Sequence, residues 1–180
     1  MFKRVLVANR GEIAVRIIRA LREMGIESIA VYSSADKGAL HTMMADYAYR
    51  IDGNRPQDTY SNVDKIINIA KLSGADAIHP GYGFLSERAK FAEAVEKAGI
   101  TFIGPKSEII RLMGDKIEAR NRVLSIGVPV IRGSNTAIES FEEAAEIAEI
   151  IGYPVLIKAA AGGGGMGMKV ASGPDELRLV

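Results

Sequence analysis

Short unbroken apolar runs alternate with helical spacing through the first half of the chain, and that alternation restricts the fold more than any other feature. Val5 to Ala8 is continuous apolar sequence, the signature of a strand buried on both faces. A turn at Asn9-Arg10-Gly11 follows. From Glu12 the apolar residues fall at Ile13, Ile17, Leu21 and Met24, with Ala14, Ile18 and Ala20 beside them, which predicts a helix ended by Gly25. Strands are expected at Ile29 to Tyr32, Tyr47 to Ile51, Ala75 to Ile78 and Thr101 to Ile103. Helices are expected at Val63 to Leu72 and Arg88 to Ala98. Strands alternating with helices predict an α/β fold with a parallel sheet covered on both faces. The first domain is placed at residues 1–104.

The second half has a different pattern. Ser107 to Met113 and Lys116 to Leu124 read as connecting helices across a linker at 105–127. A strand at Val128 to Ile131 is expected to open a second unit, 128–180. Ser140-Phe141-Glu142-Glu143 is a capping box for a helix running to about Ile151. Val155 to Lys158 and Met168 to Ala171 read as strands on either side of a glycine run. A helix starting at Asp175 has no room to bury a face by Val180, so the chain is expected to be part of a longer unit.

Composition bounds the function. The chain is 48% hydrophobic and 25% charged, enough for a packed core. Its net charge of +1 offers no basic field for nucleic acid. Cysteine is absent, which excludes a disulfide scaffold, a thiolate nucleophile and a zinc–thiolate site. No apolar run approaches the ~20 residues that span a bilayer. The first apolar stretch is too short for a signal peptide, so a cytoplasmic protein is expected.

Gly162, Gly163, Gly164, Gly165 and Gly167 surround Met166 after the Val155–Lys158 run. Glycines cost roughly 0.5–1 kcal/mol each against Ala on ordering, and such loops occur where backbone approaches a phosphate. Strand rather than helix follows, so the dinucleotide fingerprint does not apply, and no Gly-Lys-Ser/Thr completes a Walker A motif. A strand–glycine loop–strand hairpin that closes over phosphates is one reading, and a plain hairpin tip is the other. Lys158 ends the strand before the loop, where it can reach phosphate oxygens. Lys116 opens a helix, and its surroundings do not set it apart from a solvated lysine.

Asn9-Arg10-Gly11-Glu12 lies at the first strand-to-helix turn, where open α/β sheets place ligands. A simple turn is the equal alternative. His79-Pro80-Gly81-Tyr82-Gly83-Phe84-Leu85-Ser86-Glu87 follows another strand end. His41 is isolated, so no histidine metal site is expected. Arg16, Arg19 and Arg22 recur on one side of the first helix, as a solvated face or a contact between protomers.

Several of these segments together resemble biotin carboxylase, the ATP-grasp component of acetyl-CoA, propionyl-CoA and pyruvate carboxylases. They are Ala8 to Ala14, His79 to Glu87, Phe102 to Pro105, Arg111 to Lys116, and Gly152-Tyr153-Pro154 through Gly167. The resemblance implies a Rossmann-like pre-ATP-grasp domain followed by an incomplete ATP-grasp lid. It implies that ATP activates bicarbonate as carboxyphosphate, with Mg2+, and that the carboxyl group passes to biotin on a carrier protein. It further implies ATP contacts at Lys116, Lys158, Gly162, Gly163, Gly164, Gly165, Gly167 and Met168. Tyr82 and Gly83 would flank the biotin pocket, and Arg16 and Arg19 would lie at a homodimer contact. A carboxyltransferase is the further implied partner. Met166 stands where the family usually has Arg or Lys. The family's metal ligands, bicarbonate site and catalytic base match no residue of the chain, so no catalytic residue is assigned and the chain alone is expected to be inactive. Another ATP-grasp ligase, or a non-catalytic nucleotide-binding or dimerising remnant, is the alternative.

Overall fold

The computed structural model describes residues 1–159 and 167–179. The chain divides into two compact units, Met1–Arg111 and Leu112–Val180. In the first, β1 (Arg4–Val7), β2 (Glu27–Tyr32), β3 (Tyr47–Arg50), β4 (Ala77–His79) and β5 (Thr101–Phe102) form one parallel sheet. The strand order is β3-β2-β1-β4-β5. The expected α/β class with a parallel sheet is what the chain adopts.

Strand alternation sorts the core into two layers. Leu6 and Ala8 face a cluster with Ile29, Val31 and Ile78. This layer receives α3 (Val63–Leu72) through Ile66, Ile67 and Ala70, and α4 (Ala89–Lys97) through Phe91, Ala92 and Val95. Val5 and Val7 point the other way, with Ala30 and Ala77, onto α1 (Gly11–Glu23). The α1 stripe Ala14, Val15, Ile18 and Leu21 is buried. Each large side chain there contributes roughly 1.5–3 kcal/mol by burial. Ile18→Ala would cost about 2–5 kcal/mol. The helix stops because Gly25 takes φ +70°, which lets the Ile26 amide donate to Leu21 O at 2.9 Å and closes the end.

The short α2 (Leu40–Met44) is an element the sequence reading does not contain. Helix α5 (Ser107–Gly114) carries the first unit past Gly104 to Arg111, because Ile110 is buried in the same core layer as Phe91 and Phe102.

In the second unit, α6 (Lys116–Ser125) starts at Asp115, whose carboxylate accepts from the Ile117 and Glu118 amides at 2.9 and 3.0 Å. No strand forms at Val128 to Ile131, contrary to the sequence expectation. Pro129 has no N–H to donate to a ladder. Ile131 is 89% exposed and its carbonyl is taken by the Arg120 guanidinium. Helix α7 (Phe141–Ile151) is capped as expected: the Glu143 amide donates to Ser140 Oγ at 3.1 Å. The Glu143 carboxylate accepts from the Glu139 amide, one residue before the box position, at 3.2 Å. Strands β6 (Val155–Lys158) and β7 (Met168–Ala171) pair antiparallel, and α8 (Pro174–Leu177) follows. Ala148, Ala171 and Leu177 are the centre of this unit's core.

Candidate functional site

The sheet order reverses at β1, between β2 on one side and β4 on the other. The loops leaving the carboxyl ends of β1 and β4 therefore flank the position where open α/β sheets bind ligands. Both loops carry segments singled out in the sequence. The Ala8 amide donates to His79 O at 2.9 Å and extends the ladder into them. Asn9 Nδ2 then donates to Pro80 O at 2.9 Å and Tyr82 O at 2.8 Å. Gly81 takes φ +67°, and its amide donates to His79 Nδ1 at 3.0 Å. Burial lowers the His79 pKa and favours the neutral ring that accepts this bond. Gly83 takes φ +73°, and the Tyr82 side chain, 77% exposed, projects from the loop.

Arg10 ties the same edge to β2. Its guanidinium pairs with both Asp36 oxygens. Asp36 also accepts from Tyr60 Oη at 2.5 Å and Ser33 Oγ at 3.3 Å. The Arg10 guanidinium holds the Asp36 carboxyl at a pKa of about 2. Asp36 pushes the Arg10 pKa up in turn. The sequence gives no sign of Asp36 or Tyr60, because their partner is far away in the chain and neither lies in a recognisable motif.

In the second unit the hairpin has two unlike faces. Register pairs Val155 with Ala171 and Ile157 with Lys169; the other face pairs Leu156 with Val170 and Lys158 with Met168. Val155, Ile157 and Ala171 pack with α7 residues. Leu156, Met168 and Val170 are 50%, 45% and 60% exposed, an apolar strip ending in Lys158. The ladder continues one step, with the Ala159 amide donating to Gly167 O at 2.9 Å. Gly167 takes φ +71°, and a Cβ there would lie 2.9 Å from that of Ala159. Lys158, Gly167 and Lys169 line a cavity of about 270 Å³ with Ile157 and Ala159.

The structure thus brings Lys158, Gly167 and Met168 together at one hairpin end. Gly162, Gly163, Gly164, Gly165 and Met166 lie outside the described residues. Lys116 is exposed in the first turn of α6. Tyr82 and Gly83 share one loop. Arg16 and Arg19 line a groove of about 490 Å³ along α1 with Ala39, Leu40 and His41. Arg22 instead donates to Met44 O. His41 is buried; its Nε2 lies 3.3 Å from Val31 O and its Nδ1 has no partner. Among the described residues, no three His, Asp or Glu cluster to hold a metal ion. No described helix is long and apolar enough to cross a membrane.

These features define a class: a doubly wound α/β domain followed by a second unit whose antiparallel hairpin carries Lys158 and Gly167. The family model for the biotin carboxylase N-terminal domain matches residues 1–110. That for the ATP-binding domain of the carbamoyl-phosphate synthase L chain matches residues 115–180. The chain belongs to the biotin carboxylase family. It is 56% identical over 177 residues to biotin carboxylase 1 of Bacillus subtilis (strain 168), covering 98% of this chain and 39% of that protein. It is 52% identical over 178 residues to the biotin carboxylase of Halalkalibacterium halodurans, covering 99% of this chain and 39% of that one. It also resembles the biotin carboxylase domain dimer of Hydrogenobacter thermophilus 2-oxoglutarate carboxylase, solved with MgADP, ADP and bicarbonate. There the identity is 51% and the TM-score 0.94, over 99% of this chain and 39% of that one. The chain spans about 39% of the length of these relatives.

Proposed function

We propose that this chain forms the N-terminal part of a cytoplasmic ligase that uses ATP and bicarbonate to carboxylate biotin on a carrier protein. The observation that carries the reading is the hairpin end. Lys158 and Gly167 line one cavity, beside an exposed apolar strip of Leu156, Met168 and Val170. An apolar strip suits the flat face of adenine, and a lysine at its end suits phosphate oxygens. Backbone amides of a glycine loop suit the same phosphates. Gly162 to Gly165 and Lys116 complete the proposed nucleotide contacts. Tyr82 and Gly83 face biotin, and Arg16 and Arg19 meet a second copy. A carboxyltransferase then takes up the carboxyl group. Magnesium belongs to the reaction through residues outside this chain.

The reading is tested on the full-length protein by measuring ATP cleavage with and without bicarbonate and biotin. Dependence on both is expected, and equal cleavage in the absence of either sinks it. Removing a charge-assisted contact worth about 1.5–3 kcal/mol should matter, so Lys158→Ala is expected to raise the KM for ATP about ten- to a hundredfold. A second reading, a different ATP-grasp ligase, is favoured by the carbamoyl-phosphate synthase match over residues 115–180. ATP cleavage that responds to another carboxylate or amine and ignores biotin would select it.

A further inference from the structure

Asn9 is 2% exposed, and its amide is fully engaged. Both Nδ2 protons are used, one on Pro80 O and one on Tyr82 O, while Oδ1 accepts from the Arg10 amide at 2.9 Å. Only the amide in this orientation serves all three bonds, since turning it over would set Oδ1 against two carbonyls. The fit is close. A Cβ on Gly81 would lie 2.6 Å from Asn9 Nδ2 and 2.9 Å from Asn9 Cβ, and Gly81 already takes a positive φ. The loop after β4 is therefore fixed at its backbone by Asn9 and His79, while the Tyr82 ring remains open to solvent. A rigid backbone presenting a free side chain is the arrangement of a preorganised binding wall, which spares a ligand the cost of ordering the loop.

We propose that Asn9 is a positioning residue that holds the Pro80–Gly83 loop so that Tyr82 and Gly83 form one wall of the biotin pocket. The inference rests on the proposed biotin contact of those two residues. Asn9 does not touch biotin; it acts through the carbonyls of Pro80 and Tyr82.

The test uses the full-length protein and free biotin as the probe, with KM for biotin, KM for ATP, kcat and Tm measured together. Asn9→Asp keeps the shape but turns both donors into acceptors facing carbonyls. It is expected to raise the KM for biotin about tenfold and leave the KM for ATP in place. Gly81→Ala disturbs the same contact from the loop side and gives the same pattern; it serves where Asn9→Asp does not fold. A merely structural role would lower Tm and kcat through loss of folded enzyme and leave the KM for biotin alone, which overturns the proposal. Tyr82→Ala separates the two layers of inference. If it raises the KM for biotin and the Asn9 and Gly81 variants do not, the positioning role is wrong and the biotin wall stands. If none of the three moves it, the biotin wall itself is wrong and the positioning role falls with it.

Discussion

Asp36 sits where three loops of the carboxyl edge converge, and its ionisation belongs to the fold. Its carboxylate is held by Arg10, Tyr60 and Ser33 with a pKa of about 2, below the ordinary 3.8. A carboxyl with a depressed folded-state pKa stabilises the protein above its unfolded value and loses that contribution as pH falls through the folded one. The loss therefore falls between about pH 4 and pH 2, and it amounts to on the order of 1–2 kcal/mol for a shift of this size with a half-exposed partner. Asp36→Asn is expected to lower stability at pH 7 by about that amount and to flatten the pH dependence below pH 4. Urea unfolding at a series of pH values checks it; a variant curve parallel to the wild-type curve from pH 5 to 2 would refute it. Asn9 and Arg10 stand out in the sequence because they occupy a strand-to-helix turn. The Pro80–Tyr82 partners of Asn9 stand out too, but Asp36 and Tyr60, which hold Arg10, do not, because a contact between positions decades apart in the chain leaves no local pattern.

Elements were legible where one periodicity dominated. Helix α1 shows helical apolar spacing across its Gly11–Glu23 span, though full burial falls on Ala14, Val15, Ile18 and Leu21, while Ile13 and Ile17 are half-buried and Met24 is exposed. Helix α2 has five residues, too few to establish a period. The apolar letters of Val128 to Ile131 suggested a strand, but Pro129 and the carbonyl contact from Arg120 leave that segment without a ladder. The β6–β7 hairpin was legible in both strands and in the place of Lys158 at the end of the first. Its exposed apolar strip became visible only with the register. That strip gives a prediction specific to the element. Leu156→Ser and Val170→Ser lie on the open face, so each is expected to change stability by no more than about 0.5 kcal/mol. Each should nevertheless raise the KM for ATP several-fold if adenine lies on this face. A large fall in Tm with an unchanged KM for ATP would show that the strip is covered by protein instead.

At the scale of the whole chain, the two units differ in how much apolar surface they bury. The first has two core layers around a five-stranded sheet, with Leu6, Ile18, Ile29, Ile66, Ile78 and Phe91 fully enclosed. The second centres on Ala148, Ala171 and Leu177, and none of the α6 residues is buried. Ile131, Ile150 and Leu179 are 89%, 77% and 81% exposed there. Burial contributes roughly 25 cal/mol per Å² of apolar surface, so the unit with fewer enclosed side chains opens at lower free energy. The 180-residue chain is therefore expected to show graded amide hydrogen exchange. Peptides from β1, β2 and β4 should exchange at least a hundredfold more slowly than those from β6 and α7, a difference of about 2.7 kcal/mol in opening free energy. ATP bound at the hairpin, at a hundred times its dissociation constant, would add about 2.7 kcal/mol to the second unit and narrow the gap. Equal protection in the two units without nucleotide would mean that the second unit's stability does not follow from its enclosed side chains, and would overturn the account of its core given by Ala148, Ala171 and Leu177.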